Sequence, residues 1–191
     1  MIKKFLLLLT LILISLKANA NNSNFNYSFI QFNHSKINTS EKYKEDSINF
    51  SKSIDKSFFY TLGFNRGEFY AEPIRTNSYS VGIGSNKSLN EITDLAYSLQ
   101  IVKSNEKNLF SGNQSDEDTL NLLIEIKHII NDLEISGGLN YTNFAILDGG
   151  EGHNFSYALG LSLAIDDTFS FISSITHDDE NTITFGVELS L

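Results

Sequence analysis

Apolar and polar residues alternate along most of the chain after residue 20. The last eleven residues, NTITFGVELSL, follow the pattern most regularly, because every second residue is apolar and those between are Thr, Gly, Glu or Ser. A strand with this period places its apolar side chains on one face and its polar side chains on the other. The same period recurs in SFFYTLGFN, SYSVGIGS, DLAYSLQI, TLNLLIEIK and FSYALGLSLA. The pattern predicts half-apolar β-strands, and helical spacing fits it poorly.

The alternating segments predict ten strands, separated by connections of two kinds. Four connections are tight (IDKS, SLNEIT, IND and IDDT), and four of the other five are longer and polar. Tight turns that alternate with longer loops on an even strand count put both termini and all tight turns at one end. The predicted strands lie roughly at 24–33, 46–54, 57–66, 77–86, 93–103, 118–129, 133–143, 154–164, 168–177 and 181–191.

The composition of the two strand faces favours a barrel in lipid. One face carries Phe, Tyr, Leu, Ile and Val, whereas the other carries mainly Gly, Ser, Ala, Thr and Asn, as in the crowded interior of a narrow barrel. Strands of about ten residues also have the length that a tilted strand needs to cross a bilayer. Because unpaired strand edges are costly in hydrocarbon, the last strand should pair with the first. We therefore predict an all-β, closed antiparallel up-and-down transmembrane β-barrel of about ten strands, with eight possible and a secreted sandwich as the alternative.

The first twenty residues, MIKKFLLLLTLILISLKANA, have the composition of a secretory signal peptide. A positive start is followed by an apolar run and by the small-x-small sequence Ala18-Asn19-Ala20. An uncleaved N-terminal anchor is the alternative, but the run is short for a membrane span. The sequence thus predicts a signal peptide at 1–20 and one barrel domain at 21–191.

Charge and cysteine content exclude several classes of function. The formal charge is −9, and removal of Lys3, Lys4 and Lys17 leaves 14 − 3 = 11 basic against 23 acidic residues, which gives −12. Nucleic acid is an implausible partner for such a surface. The chain has no cysteine, which excludes disulfides, zinc–thiolate sites and cysteine nucleophiles. We expect no cofactor.

Four segments, which together span essentially all of 21–191, have the pattern of one protein family: FNYSFIQFNHSKIN, SKSIDKSFFYTLGFNRGEF, YSVGIGSNKSLNEITDLAYSLQIVKSN and DDENTITFGVELSL. Through them the chain resembles the small outer-membrane β-barrel domain proteins of Gram-negative bacteria. This resemblance implies an outer-membrane location, with outer-membrane lipid, lipopolysaccharide and the assembly machinery as partners. Members usually end in an aromatic residue, typically Phe, whereas this chain ends in Leu. The last strand is predicted to close the barrel and to serve as the assembly signal, through Ile183, Phe185, Val187, Leu189 and Leu191.

Four charged residues on polar strand faces are predicted to form a charge network in the lumen. They are Glu125, Lys127, Glu134 and Glu188. If IND forms the turn, Lys127 and Glu134 lie diagonally across adjacent strands and are close enough to pair. Such a network either plugs and rigidifies the lumen or sets the selectivity of a narrow pore. We expect the plug, because barrels of this size are usually filled by side chains.

The sequence offers only weak candidates for catalysis. The segment His177-Asp178-Asp179-Glu180, together with Asp116-Glu117-Asp118, resembles the rim residues of the omptin proteases, although solvated acidic loops explain both segments more simply. The segment DGGEGH lacks the ligand spacing of a calcium loop. We therefore predict no catalytic residue and no metal site.

Three functions follow from this interpretation. The first is a non-enzymatic, monomeric outer-membrane barrel that supports the envelope and interacts through acidic extracellular loops. Its acidic segments at 116–118 and 178–180 could bridge lipopolysaccharide phosphates through divalent cations. The alternatives are a small passive pore for ions or small solutes and an omptin-like rim protease.

Overall fold

The computed structural model describes residues 25–37, 43–69, 73–143, 152–178 and 181–191, so the predicted signal peptide lies outside the described residues. These residues form ten strands and no helix of the length and apolar character needed to span a membrane. The strands are β1 (Phe29–Ile37), β2 (Tyr43–Ser53), β3 (Phe58–Phe69), β4 (Ile74–Asn90), β5 (Thr93–Asn108), β6 (Gln114–Ile130), β7 (Leu133–Asn143), β8 (His153–Ala164), β9 (Phe169–His177) and β10 (Asn181–Ser190).

The ten strands form a closed antiparallel barrel in which each strand pairs with its neighbours in the sequence. The first and last strands close it, with Phe29 opposite Ser190 and Ile37 opposite Thr182. Closure therefore leaves neither β1 nor β10 as the open edge of a sheet. The predicted all-β, closed up-and-down barrel is therefore confirmed, with ten strands rather than eight.

The two faces of the barrel wall differ in the way that the alternation predicts. The outward positions of β8, for example, are Phe155, Tyr157, Leu159 and Leu161, with exposed fractions between 48% and 68%. The inward positions of the same strand are small or polar residues. An apolar surface that extends around a whole barrel would be exceptional on a protein in water, and it matches the apolar band of a barrel that lies in lipid.

The four tight connections lie at one end of the barrel, which we call the tight-turn end. They comprise residues 54–57, 91–92, 131–132 and 165–168. Asn131 adopts a left-handed backbone conformation (φ 55°), which asparagine tolerates and which is common in tight hairpin turns. The strand ends on the opposite side of the barrel, such as Ile37, Asn108 and Gln114, form the end that we call the long-loop end.

The first strand begins later than the sequence predicted. The prediction of 24–33 placed residues 25–28 in the strand, but β1 spans Phe29–Ile37. Phe29 lies opposite Ser190 and Ser51 on the inward face, whereas Ile30 and Phe32 lie opposite apolar residues on the outward face. The apparent change of phase in FNYSFIQFN arises because the aromatic residues Phe25 and Tyr27 before the strand are buried as well.

The predicted long loop KSNEKNLFSGNQSDED is mostly strand, which corrects the sequence interpretation. β4, β5 and β6 have 17, 16 and 17 residues, and only residues 109–113 connect β5 to β6. We call the part of these three strands at the long-loop end the extended wall. Apart from Ile74, its residues are polar on both faces, so no apolar alternation marks it. Polar cross-strand pairs hold it instead, such as Lys103 opposite Asp118 and Asn105 opposite Asp116.

Candidate functional site in the barrel lumen

Residues 25–28, which we call the plug segment, precede β1 and fill the lumen at the tight-turn end. Phe25 and Tyr27 are 7% and 6% exposed. The Ser51 hydroxyl donates a hydrogen bond to the Tyr27 carbonyl (2.8 Å), and the Leu191 backbone N–H donates one to the Ser28 carbonyl (2.8 Å). The segment is therefore attached both to β2 and to the end of the chain.

The ring of Tyr27 makes the central contacts of the plug segment. It stacks on the inward-facing ring of Phe59, with ring centroids 5.0 Å apart and an interplanar angle of 17°. The Lys127 ammonium lies 5.4 Å from the centre of the Tyr27 ring, within the range of a cation–π contact. Gly84 makes this arrangement possible, because a Cβ at residue 84 would collide with the ring of Phe59.

The hydroxyl of Tyr27 joins the plug segment to a buried carboxylate. It donates a hydrogen bond to Oδ2 of Asp94 (3.2 Å), a residue with no solvent-exposed surface. Asp94 also accepts hydrogen bonds from the Ser88 hydroxyl (2.5 Å) and the Asn86 amide (3.4 Å). Charged groups are stable in such places only when they are hydrogen-bonded or paired, and Asp94 meets this condition through three side chains.

The structure brings the four residues of the predicted charge network to this end of the lumen. Lys127 Nζ lies 3.1 Å from Glu134 Oε1 and 3.9 Å from Glu125 Oε2. Glu188 accepts a hydrogen bond from the Gln31 amide (2.6 Å) on the adjacent strand. Sequence reasoning missed Tyr27, because it assigned residues 25–28 to a strand.

Asp94 was missed for a different reason. The sequence interpretation placed residue 94 next to a tight turn and gave it no lumen role. Yet Asp94 lies directly opposite Lys127 in the pairing of β5 with β6. The alternation of the strand could have revealed it, because Asp94 is the second residue of β5 and shares a face with Ala96 and Ser98.

A cavity of about 380 Å³ lies in the lumen against the plug. Hydroxyl and amide side chains dominate its inward-facing lining, among them Asn49, Thr61, Ser98 and Gln100. The register places seven acidic residues and, among the described residues, the single cation Lys127 on the inward face of the strands. The acidic residues are Glu45, Asp94, Glu106, Glu117, Glu125, Glu134 and Glu188.

The predicted closure strand is β10, which pairs with both β1 and β9. Its residues Ile183, Phe185, Val187 and Leu189 lie opposite outward-facing neighbours, and Phe185 is 62% exposed. Leu191 lies one residue beyond the strand and is 55% exposed. The role of this strand as an assembly signal stays a prediction.

Of the candidate protease residues that the structure describes, His177 and Asp116 both lie on the outward face of the wall and do not face each other across the lumen. His177 is on the outward face of β9, where its ring lies 4.9 Å from the ring of Tyr157 and its Nδ1 lies 2.8 Å from Asn181 Oδ1. Asp116 is on the outward face of β6 and accepts a hydrogen bond from the Asn105 amide (2.6 Å). Residues 179–180 lie outside the described residues.

The acidic residues at 116–118 are only partly available to bind a ligand. Asp118 lies 3.7 Å from Lys103 Nζ, so two of the three acidic residues at 116–118 already have partners within the extended wall. Among the residues that the structure describes, no group of three or more His, Cys, Asp or Glu side chains is arranged to hold a metal ion.

Comparison with known proteins identifies the fold. No protein-family model matches the chain, and no curated protein matches its sequence. Among solved structures it is similar to NanC porin (TM-score 0.57, 10% identity), with 85% of this chain and 100% of that chain covered. It is also similar to KdgM porin (TM-score 0.50, 13% identity, 85% and 99% covered). A third is Neisserial surface protein A (TM-score 0.50, 11% identity, 85% and 96% covered). The chain therefore has the fold of small outer-membrane β-barrels.

Proposed function

We propose that this protein is a non-enzymatic outer-membrane β-barrel that supports the envelope and interacts at the cell surface, with its lumen closed to free diffusion. The observation that supports a closed lumen is the position of the plug segment. Tyr27 stacks on Phe59 and bonds to the buried Asp94 in the lumen at the tight-turn end. In barrels of this class the tight turns and the termini face the periplasm, so the plug closes the periplasmic mouth.

The outer-membrane location is supported by the exposed apolar wall and by the likeness to NanC porin, KdgM porin and Neisserial surface protein A. Fractionation of cells that express the full chain tests it. We expect the protein in the outer-membrane fraction, and we expect boiled and unboiled samples to migrate differently on a gel. Recovery in the periplasm without detergent would contradict the location.

Conductance in planar bilayers tests the closed lumen. The purified wild-type barrel should give no steady channels. Removal of both plug rings by Phe25→Ala with Tyr27→Ala should produce channels, because the space that these rings fill beside Phe59 and the charge network then becomes open to water. The matched control is Phe155→Ala with Tyr157→Ala, which removes two rings of the same kinds from the outward face.

A small passive pore is the second candidate, and one observation favours it. Seven acidic residues and the single cation Lys127 line the described lumen, so an open path would prefer cations. Steady wild-type channels with a reversal potential that indicates cation preference, altered by Glu134→Gln, would replace the closed barrel by this pore. Silent wild-type bilayers beside a conducting plug variant would support the closed barrel.

The absence of catalysis is also part of the proposal. The outward position of the His177 ring, against Tyr157, argues against a rim dyad of the omptin type. Peptide cleavage by the purified protein should be indistinguishable from that of His177→Ala. Cleavage that disappears in the variant would overturn this part of the proposal and leave the barrel fold untouched.

A further inference from the structure

Polar side chains of β3 and β5 converge on the lumen cavity. Two inward-facing rows cross this part of the wall, each with a glycine of β4 at its centre: Thr61, Gly82 and Gln100 in one, and Phe59, Gly84 and Ser98 in the other. The non-glycine residues of both rows line the cavity of about 380 Å³. A Cβ at residue 82 would collide with both Thr61 and Gln100, so Gly82 allows these two polar side chains to come together at the cavity wall.

Three polar side chains of these rows have hydrogen-bonding capacity that the fold leaves unused. Thr61 Oγ1 is buried and has no hydrogen-bond partner among the described residues. Within the same residues, no hydrogen bond reaches the side chain of Gln100 or of Ser98, although Ser98 is only 6% exposed. The Gln31 amide of the same lining, by contrast, donates a hydrogen bond to Glu188 (2.6 Å). Because buried polar groups are nearly always hydrogen-bonded, the unused groups indicate contacts with a ligand.

The charged groups of the cavity are already paired, which argues against a charged ligand. Glu125 and Lys127 are the charged residues of the lining. Lys127 Nζ lies 3.9 Å from Glu125 Oε2 and 3.1 Å from Glu134 Oε1. A further ion in this space would lose its hydration without gaining a counter-charge of its own. The ligand that fits is therefore uncharged.

The remaining chemistry of the cavity matches a sugar. Amide and hydroxyl side chains both donate and accept hydrogen bonds, as the hydroxyl groups of a sugar do. Phe29 and Leu123, at inward positions of β1 and β6, add apolar surface against which the C–H face of a sugar ring can pack. A volume of about 380 Å³ is near the lower limit of small-molecule sites, about 300–1,000 Å³, and suits one ring better than a chain of rings.

We infer that the lumen cavity binds an uncharged monosaccharide, with Thr61, Gln100 and Ser98 at its hydroxyl groups and Phe29 against its ring. Tyr27 of the plug segment lines one end of the cavity, so the sugar reaches the cavity from the long-loop end. The inference rests on the proposed closed lumen. It adds a ligand class to the proposed surface interaction, because the sugar is held in the lumen and does not pass through.

Binding of neutral sugars to the purified full chain tests the inference, in a detergent that has no sugar headgroup. The probes are glucose, galactose and mannose, each compared with its uronate and its 2-amino derivative by saturation-transfer difference NMR and equilibrium dialysis. At least one neutral sugar should bind saturably. Its uronate and its amine should bind about tenfold more weakly or worse, because an ion loses hydration in a cavity whose charges are already paired.

The double variant Ser98→Ala, Gln100→Met removes two of the three unused polar groups with little change in volume. It should weaken binding about tenfold or more, given the usual contribution of two hydrogen bonds. The matched control Gln114→Met, Ser156→Ala removes the same two groups from positions that do not line the cavity, and it should bind as the wild type does. Heat-modifiable migration verifies that each variant is folded.

Three results would overturn the inference. They are the absence of saturable binding of all three neutral sugars to the folded wild type, equal binding of the neutral and charged forms, and equal losses in both double variants. Failure of the closed lumen would appear instead as steady wild-type channels in planar bilayers, a measurement that involves no sugar.

Discussion

The two ends of the barrel use the same ion-pair chemistry in opposite environments. At the tight-turn end, Lys127 lies 3.1 Å from Glu134, and their side chains are 14% and 25% exposed. In the extended wall at the long-loop end, Lys103 lies 3.7 Å from Asp118, and the lysine is 62% exposed. The first pair is therefore part of the packed interior, whereas the second pair lies on a surface that is accessible to water.

The largest expected effect comes from Lys127→Met, which tests the buried side of this comparison. The change leaves Glu125 and Glu134 without their cation and should lower the free energy of unfolding by about 3–5 kcal/mol, as for other broken buried pairs. Because the chain has no Trp, denaturant unfolding is followed by circular dichroism and by heat-modifiable gel migration. Acidification should return part of the loss, since protonated carboxyl groups no longer repel one another.

Lys103→Met is the matched control at the long-loop end. Exposed ion pairs contribute about 0–1 kcal/mol, so its unfolding midpoint should stay close to that of the wild type. Equal destabilisation by both substitutions would erase the distinction between the two ends.

Leu159→Arg tests whether the apolar wall and the extended wall differ in their surroundings. Leu159 lies midway along β8 on the outward face and is 66% exposed. An arginine at the midplane of the bilayer costs about 2–4 kcal/mol, whereas one beyond the apolar band costs about 0–1 kcal/mol. Asn105→Arg, on the outward face of the extended wall, is the control. The measurement is refolding into lipid vesicles, and similar costs for both variants would place Leu159 outside lipid.

Alternation predicted the barrel well because one physical constraint acts on every strand inside the apolar band. Outward side chains there are apolar and most inward ones are small or polar, as in β8 and β10, whereas Phe59 is an inward ring beside the plug segment. The paired positions of Lys127 and Glu134 followed from the same reasoning once the IND turn was assigned. Outside the apolar band the two faces of a strand need not differ in polarity, so the alternation that reveals a strand is absent.

Two parts of the molecule lie outside that constraint. The extended wall is polar on both faces, so residues 104–117 read as a loop although all but 109–113 are strand. The plug segment keeps the aromatic alternation of a strand, yet Phe25 and Tyr27 lie in the lumen before β1 begins.

Gly84→Ala should destabilise the barrel less than Lys127→Met or Leu159→Arg, and it compares the inner and outer faces of the wall. A methyl group at residue 84 would collide with the ring of Phe59, and such overpacking costs about 1–3 kcal/mol. The displaced ring also loosens its stack with Tyr27, so bilayer recordings should show brief openings. Gly137→Ala is the control, since a methyl group at residue 137 would meet only Leu159 at 3.8 Å. A Gly84→Ala barrel as stable and as silent as the Gly137→Ala barrel would mean that Phe59 and Tyr27 do not form a tightly packed closure.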